Sequence, residues 1–162
     1  MTRGYLVMPQ VQIRTASPED EPVLLGLWSG LVAYHKTIEH VRPERWSGRH
    51  GSSHRRLLTH AWEHPDQEVI LLAEIEGEAV GFVRVAVTES GPCRGRIETL
   101  FVAEDARGRG IGSAMLEAAC TWCRAHEANE VCVEFIAPNS EARAFYESRG
   151  FQPLLITHMR RL

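Results

Sequence analysis

The chain contains no run of about 18 apolar residues, so no membrane-spanning helix is expected. Its N-terminal apolar patch, Tyr5-Leu6-Val7-Met8, is too short for the core of an export signal. Residues 1–10 read as a loose extension ahead of one domain at 11–162. Charge of either sign is not in surplus: a formal net charge of −3 gives no general pull toward nucleic acid or a membrane surface. Cysteine is scarce, with Cys93, Cys120, Cys123 and Cys132 the four present. Without an export signal these are expected to be reduced thiols in the cytoplasm. Cys120 and Cys123 lie one helical turn apart with no second pair at metal spacing, which reads as small core packing. Internal repeats and low-complexity segments are also absent.

What is present alternates between strand and helix patterns. Val11 to Arg14 is a short strand candidate. Ser17-Pro18-Glu19-Asp20 opens a helix with an N-cap, a proline at the first helical position and acids in the first turn. Val23, Leu24, Leu27, Trp28 and Leu31 continue it as one buried stripe, and the period is lost from Tyr34 toward Trp46. Gly48 and Gly51 mark a break, after which Ser52 or Ser53 can cap a surface helix reaching about Glu63. Val69 to Ala73 and Ala79 to Val87 read as a hairpin around Glu76-Gly77-Glu78. Ile97 to Val102 is a further strand, followed by a helix to about His126 whose apolar face is Ile111, Met115, Leu116, Ala119 and Trp122. Val131 to Ile136 is another strand, Pro138-Asn139-Ser140 caps a short helix that contains Ala142, Phe145 and Tyr146 and ends at Gly150, and Leu154 to His158 is a final strand. This order predicts an α/β (α+β) fold: a mixed sheet with helices on both faces. Strands 97–102 and 131–136, joined through a helix, are expected to be parallel neighbours.

The chemical signal is Arg107-Gly108-Arg109-Gly110-Ile111-Gly112-Ser113, at a strand-to-helix join. Glycines there let amide N–H groups converge, and the helix start adds unpaired donors beside two arginines, which suits a phosphate. A P-loop would need a lysine after the last glycine, where Ser113-Ala114 stands. The dinucleotide fingerprint fails too, because its sixth position falls on Ser113 or Met115. The remaining pattern, Arg/Gln-x-x-Gly-x-Gly/Ala, is matched by Arg107, Gly110 and Gly112.

On this motif the chain resembles the GNAT superfamily of acetyl-CoA-dependent N-acetyltransferases. Ile97-Glu98-Thr99-Leu100-Phe101-Val102 is similar to the family's preceding strand. Asn139-x-x-Ala142-x-x-Phe145-Tyr146-x-x-x-Gly150-Phe151 is similar to its later helix. The opening Ile13-Arg14-x-Ala16-x-Pro18-x-Asp20 looks like the family's usual start. The resemblance implies a mostly antiparallel sheet whose parallel pair, about 97–102 and 131–136, is splayed by a bulge. It implies coenzyme A pyrophosphate on Gly108 to Gly112, with Arg107 and Arg109 nearby. The pantetheine arm would run along the backbone of Leu100, Phe101 and Val102 as an added strand, with Ile111, Ser113, Asn139 and Phe145 also on the cofactor. A homodimer is common in such proteins.

For the chemistry, Glu98 is the expected base. In simple alternation it shares a face with Leu100 and Val102, where a partly desolvated carboxylate would have a raised pKa. The alternative is a solvated carboxylate, or one paired with Arg94 or Arg96. Tyr146 matches the family's proton donor to the leaving thiolate, against the alternative of an aromatic that only packs. Asn139 can bind the pantetheine arm or simply cap its helix. Trp28, Tyr34, His35 and Trp46, with Glu39 and Glu44, fall where the family walls its acceptor site, and such residues suit a small-molecule or peptide amine, against the alternative of core and surface packing. His50/His54 and His60/His64 have metal-capable spacing, but no carboxylate or cysteine pattern supports them, and no metal is expected. The competing reading is a catalytically silent acyl-CoA-binding or regulatory module, which would keep the glycine loop without needing Glu98 and Tyr146.

Overall fold

The computed structural model describes residues 10–38, 51–90, 93–156 and 158. The expected N-terminal extension up to Pro9, the connection carrying Glu39, Glu44, Trp46, Gly48 and His50, and the Ser52 and Ser53 side chains lie outside what is described. Five strands form one sheet in the order β1 to β5: β1 Val11–Thr15, β2 Glu68–Ile75, β3 Glu78–Val87, β4 Gly95–Val102 and β5 Val131–Val133. The first three pairings are antiparallel and β4–β5 is parallel. Four α-helices accompany them among the described residues: α1 Glu21–Ile38, α2 Gly51–Glu63, α3 Ile111–Ala125 and α4 Ser140–Glu147.

Alternation along β2 and β3 divides the core. Ile70, Leu72 and Phe82 face α1 and α2, where they meet Leu24, Trp28, Leu58 and Phe101. Val69, Leu71, Val83 and Val85 face α3 and pack on Ile111, Met115, Leu116, Ala119 and Cys123. Fully buried side chains such as Leu24, Leu58 and Phe82 each contribute about 1.5–3 kcal/mol of transfer free energy. At the entry to α1, the Ser17 backbone N–H donates to Asp20 Oδ2 at 2.8 Å, and Arg14 grips the same carboxylate with two bonds of 2.7 Å. The chain makes one 3-10 turn, Pro18–Asp20, before the α-helix proper.

Several expectations need correction. α1 continues through Tyr34 to Ile38, past the loss of apolar period, because its outer turns need no buried stripe. α2 is not simply a surface helix: His54, Leu58 and Ala61 are buried, and the His54 ring stacks on Trp28 at 4.4 Å. On α3 the buried position is Cys123, while Trp122 is half-buried and stacks on His126 at 3.9 Å. Burial raises the Cys123 thiol to about 11, so that group is inert packing. β5 stops at Val133 instead of Ile136. Leu154 to Ile156 form no strand and are 64–80% exposed.

Candidate active site

The site begins with an irregularity in β4. Arg84 on β3 pairs with Thr99, but the next residue, Val85, pairs with Ile97, so Glu98 is the extra residue of a β-bulge. The bulge turns Glu98 away from the face of Leu100 and Val102, contrary to simple alternation. Its carboxylate lies 3.0 Å from Arg96 Nε and 3.7 Å from Arg84 Nη2, on the α1/α2 side. It is therefore not a desolvated acid among apolar side chains. Its side chain is 27% exposed and held between two guanidinium groups. Arg84 is in turn anchored by buried Glu68 at 2.5 Å, and Glu68 also meets His60 Nδ1 at 3.1 Å.

Parallel pairing of β4 with β5 ends at Ile97 and Val133, so the two strands part immediately beyond the bulge. Ala103 N–H still bonds to β3, whereas the Val102 carbonyl accepts from Arg107 Nε at 3.1 Å on the other side. By strand alternation the N–H and C=O of Leu100 face that same open edge. After β4 the chain enters the glycine loop. Gly108 and Gly110 have φ of +74° and +79°, values that L side chains adopt only with strain, and a Cβ at either would meet nothing within 4 Å. The loop is thus open to an incoming group. The first helical bond of α3 runs from Ala114 N–H to Gly110 C=O at 3.0 Å, leaving the Ile111, Gly112 and Ser113 N–H groups for an anion. At Gly112 a Cβ would sit 3.2 Å from the Phe145 ring, so the glycine admits α4 close to this helix start.

α4 supplies the opposite wall. Asn139 is buried and its side-chain oxygen accepts the Ala142 N–H at 3.0 Å, which is the helix-cap role. Tyr146 is buried among Phe135, Phe145 and Phe151, with ring centroids 5.8, 5.0 and 5.3 Å away. Burial pushes its phenol up to about 12, well above its ordinary value, so it stays protonated at neutral pH. Tyr34 Oη donates to Glu141 at 2.8 Å and ties α1 to α4. The Arg107 guanidinium lies 4.6 Å over the Tyr34 ring and 4.0 Å from Glu141.

One cavity of about 810 Å³ connects these features. It brings together Glu98 and Tyr146, the residues Leu100, Phe101 and Val102, the loop and helix start except Arg109, and Asn139, Phe145, Trp28, Tyr34 and His35. Arg109 points elsewhere: its guanidinium donates to the Asp105 carbonyl at 3.2 Å. Trp46 is outside the described residues. Sequence reasoning missed Arg84, Glu134 and Arg149, which also line the cavity. Arg149 donates to Ser113 Oγ at 2.6 Å and sits 3.9 Å over the Phe145 ring, beside the helix start. Its four-residue spacing from Phe145 was a readable signal. So was Arg84, a lone charge within the apolar run Phe82 to Val87.

A bulged, splayed strand pair that opens beside an anion-binding helix start defines a coenzyme A-dependent acyltransferase. Residues 35–151 match the acetyltransferase (GNAT) family. The uncharacterized N-acetyltransferase YhfO of Bacillus subtilis is 34% identical over 145 residues, spanning 88% of this chain and 90% of that one. An aminoglycoside N(6')-acetyltransferase type 1 of Stenotrophomonas maltophilia is 29% identical over 59% of this chain and 66% of its own. Among solved structures, the fold is similar to aminoglycoside N-acetyltransferase AAC(6')-Iy in complex with CoA (TM-score 0.74, 16% identity, 98% of both chains). It is also similar to the PaiA N-acetyltransferase of Thermoplasma acidophilum in complex with coenzyme A (TM-score 0.75, 18% identity, 88% of this chain and 90% of that one). The chain belongs to the GNAT acetyltransferase family, and acetyl-CoA is its cosubstrate.

Proposed function

We propose that the chain moves the acetyl group of acetyl-CoA directly onto a primary amine within a ternary complex. The observation that carries this reading is the convergence of Glu98, the glycine loop and Tyr146 on one cavity. Acetyl-CoA supplies the acetyl group activated as a thioester. The N–H groups of Ile111 to Ser113, with Arg107 and Arg149 beside them, hold its phosphates. The open edge at Leu100 receives its arm, and the Leu100 N–H is the donor for the thioester oxygen. The amide nitrogen of Asn139 remains for that arm once its oxygen has capped α4.

An amine attacks only as the neutral base, so its ammonium first loses one proton to solvent; Glu98 takes the second, from the nitrogen of the tetrahedral adduct, directly or through one water. The two flanking guanidinium groups fix where that carboxylate points. The new bond is C–N and the bond that breaks is C–S, so the departing sulfur needs a proton. Tyr146 gives it. A phenol at about 12 stands roughly 3.5 units above an ordinary thiol. Tyr146 therefore acts first as a hydrogen-bond donor to the developing thiolate, and solvent returns the proton from Glu98 to Tyr146. No cysteine lines the cavity among the described residues, which supports direct transfer over a covalent acyl-enzyme.

The test is thiol release from acetyl-CoA with a panel of amines. Initial rates should give intersecting lines when both substrates are varied, where a covalent intermediate would give parallel ones. Glu98→Gln should lower kcat by about 100-fold, within the range for general-base catalysis. Tyr146→Phe should lower it by about tenfold, with coenzyme A affinity kept within a few-fold in both variants. Unchanged turnover in the two variants would remove this assignment.

A further inference from the structure

The cavity stops where the two parallel strands are still paired. Ile97 and Val133, the last partners of β4 and β5, both line it, whereas the pairs before them, Arg96–Cys132 and Gly95–Val131, do not. From that closed end the strands part toward Val102 and the glycine loop, so the gap is a wedge whose wide mouth lies at the anion site. An arm entering from the loop along Val102 and Leu100 points its thioester, and the acyl chain beyond it, at the Ile97–Val133 pair. Strands paired about 4.8 Å apart admit nothing between them.

The bulge sets how far that end stop stands from Leu100. Leu100 lies opposite Val83 and Ile97 opposite Val85, so the two positions are only two steps apart along β3. At roughly 3.3 Å per residue this is about 6.7 Å. Non-bonded contact with the closed end takes up about 3.5–4 Å, which leaves about 3 Å beyond a carbonyl carbon level with the Leu100 N–H. An extended chain advances about 1.3 Å for each C–C bond of about 1.5 Å, so one bond fits, two just fit, and a third, needing about 3.9 Å, does not. Neither face of the sheet offers a detour. On the α3 side Ile97 and Tyr146 are 2% and 6% exposed within the packed core, and Val133 packs against that core. The other face presents Glu98 with Arg84 and Arg96, charged groups that an alkyl chain would have to desolvate. We infer that Ile97 and Val133 form the end stop of an acyl subsite that admits acetyl and propionyl groups and refuses butyryl and longer chains. The inference rests on the path of the cofactor arm given above.

The experiment is calorimetry of the full chain with acetyl-, propionyl-, butyryl- and hexanoyl-CoA, without an amine, so it needs no turnover. Propionyl-CoA should bind within about threefold of acetyl-CoA, and the two longer thioesters at least about tenfold more weakly, the scale of one methylene in a pocket of fixed size. Val133→Ala, at a half-buried position on the short edge strand, should bring the butyryl-to-acetyl Kd ratio to within about threefold. Ile97→Val, which removes one methyl from the buried partner, should lower the same ratio. Val133→Phe should act the other way and make propionyl-CoA at least about tenfold weaker than acetyl-CoA. Equal binding of all four thioesters, or a butyryl-to-acetyl ratio moved by neither Val133→Ala nor Ile97→Val, would overturn the inference. Thiol release from acetyl-CoA with the amine panel separates the two readings. Release to an amine with no discrimination among acyl chains would overturn the inference and leave the proposed function standing. The expected order of affinities without release to any amine would support the inference and overturn the proposed function.

Discussion

Arg84 is the residue whose removal should be felt most widely. Its side chain is 11% exposed and that of Glu68 is 7% exposed, and their 2.5 Å contact lies inside the layer between the sheet and α2. Arg84→Met keeps most of the stem and deletes the charge. Glu68 is then left buried with only the His60 contact, and Glu98 keeps Arg96 alone. Removing one partner of a buried pair costs about 3–5 kcal/mol, because the other charge stays desolvated. Glu68→Leu should cost less, about 2 kcal/mol, since Arg84 retains Glu98 at 3.7 Å. The double variant removes both desolvation costs and should return to within about 1 kcal/mol of the parent. For a chain of this size each 1 kcal/mol corresponds to about 2–4 °C in Tm, so Arg84→Met should melt roughly 10 °C lower. Urea denaturation followed by circular dichroism, run as a double-mutant cycle, reads this as a coupling of about 3 kcal/mol or more. Additive single effects, or an Arg84→Met loss below about 1 kcal/mol, would refute the claim that the pair is a buried, mutually dependent unit.

Three further outcomes are expected. Gly110→Val places a β-branched residue at φ +79° in the anion loop, so coenzyme A affinity measured by calorimetry should fall about tenfold or more while the circular dichroism spectrum is retained. The Tyr146 phenol sits at about 12 against an ordinary value near 10, so the folded state holds its proton longer than the unfolded chain does. Its contribution is full below pH 10 and is lost as pH rises toward 12, up to roughly 3 kcal/mol; Tyr146→Phe should flatten that part of the urea-midpoint profile. Arg14 holds the Asp20 carboxyl well below its usual range, aided by the Ser17 N–H, so this pair stabilises above about pH 4 and fades as pH falls further. Between pH 5 and 3 the parent should therefore lose more Tm than Asp20→Asn, and equal losses would show that the ion pair adds nothing.

The parts of the fold that were legible are those decided by neighbours in sequence. β2 and β3 read as strands because Val69 to Ala73 and Phe82 to Val87 are apolar runs around a Glu76-Gly77 turn, and both residues do take positive φ. The glycine loop was readable because its chemistry is backbone geometry over seven residues. The cavity end lined by α1 is only partly so: Trp28, Tyr34 and His35 stand out in the sequence, but His54 and Leu57 join them through the packing of α2 on α1. Arg149 reaches Ser113 across 36 residues, a contact no local pattern contains.

Two departures from regular sheet geometry make the site, and neither can be read from propensity. Ile97 to Val102 suits a strand in either register, so nothing local says that Glu98 is skipped. The skip follows from β3, where Val85 must bury against the α3 layer opposite Ile97 while Phe82 and Phe101 share the other face. Val131 to Ile136 likewise has strand character throughout, yet pairing ends at Val133. Beyond it, Glu134 turns to Arg96, and Phe135 stacks on Tyr146. Had β5 continued in register, the Leu100 edge would be satisfied by protein and closed to a ligand. The same short pairing that leaves Leu100 open also brings Phe135 onto Tyr146, the residue proposed as proton donor. The gap and the chemistry beside it thus have one cause, a nonlocal choice of partner at Val133.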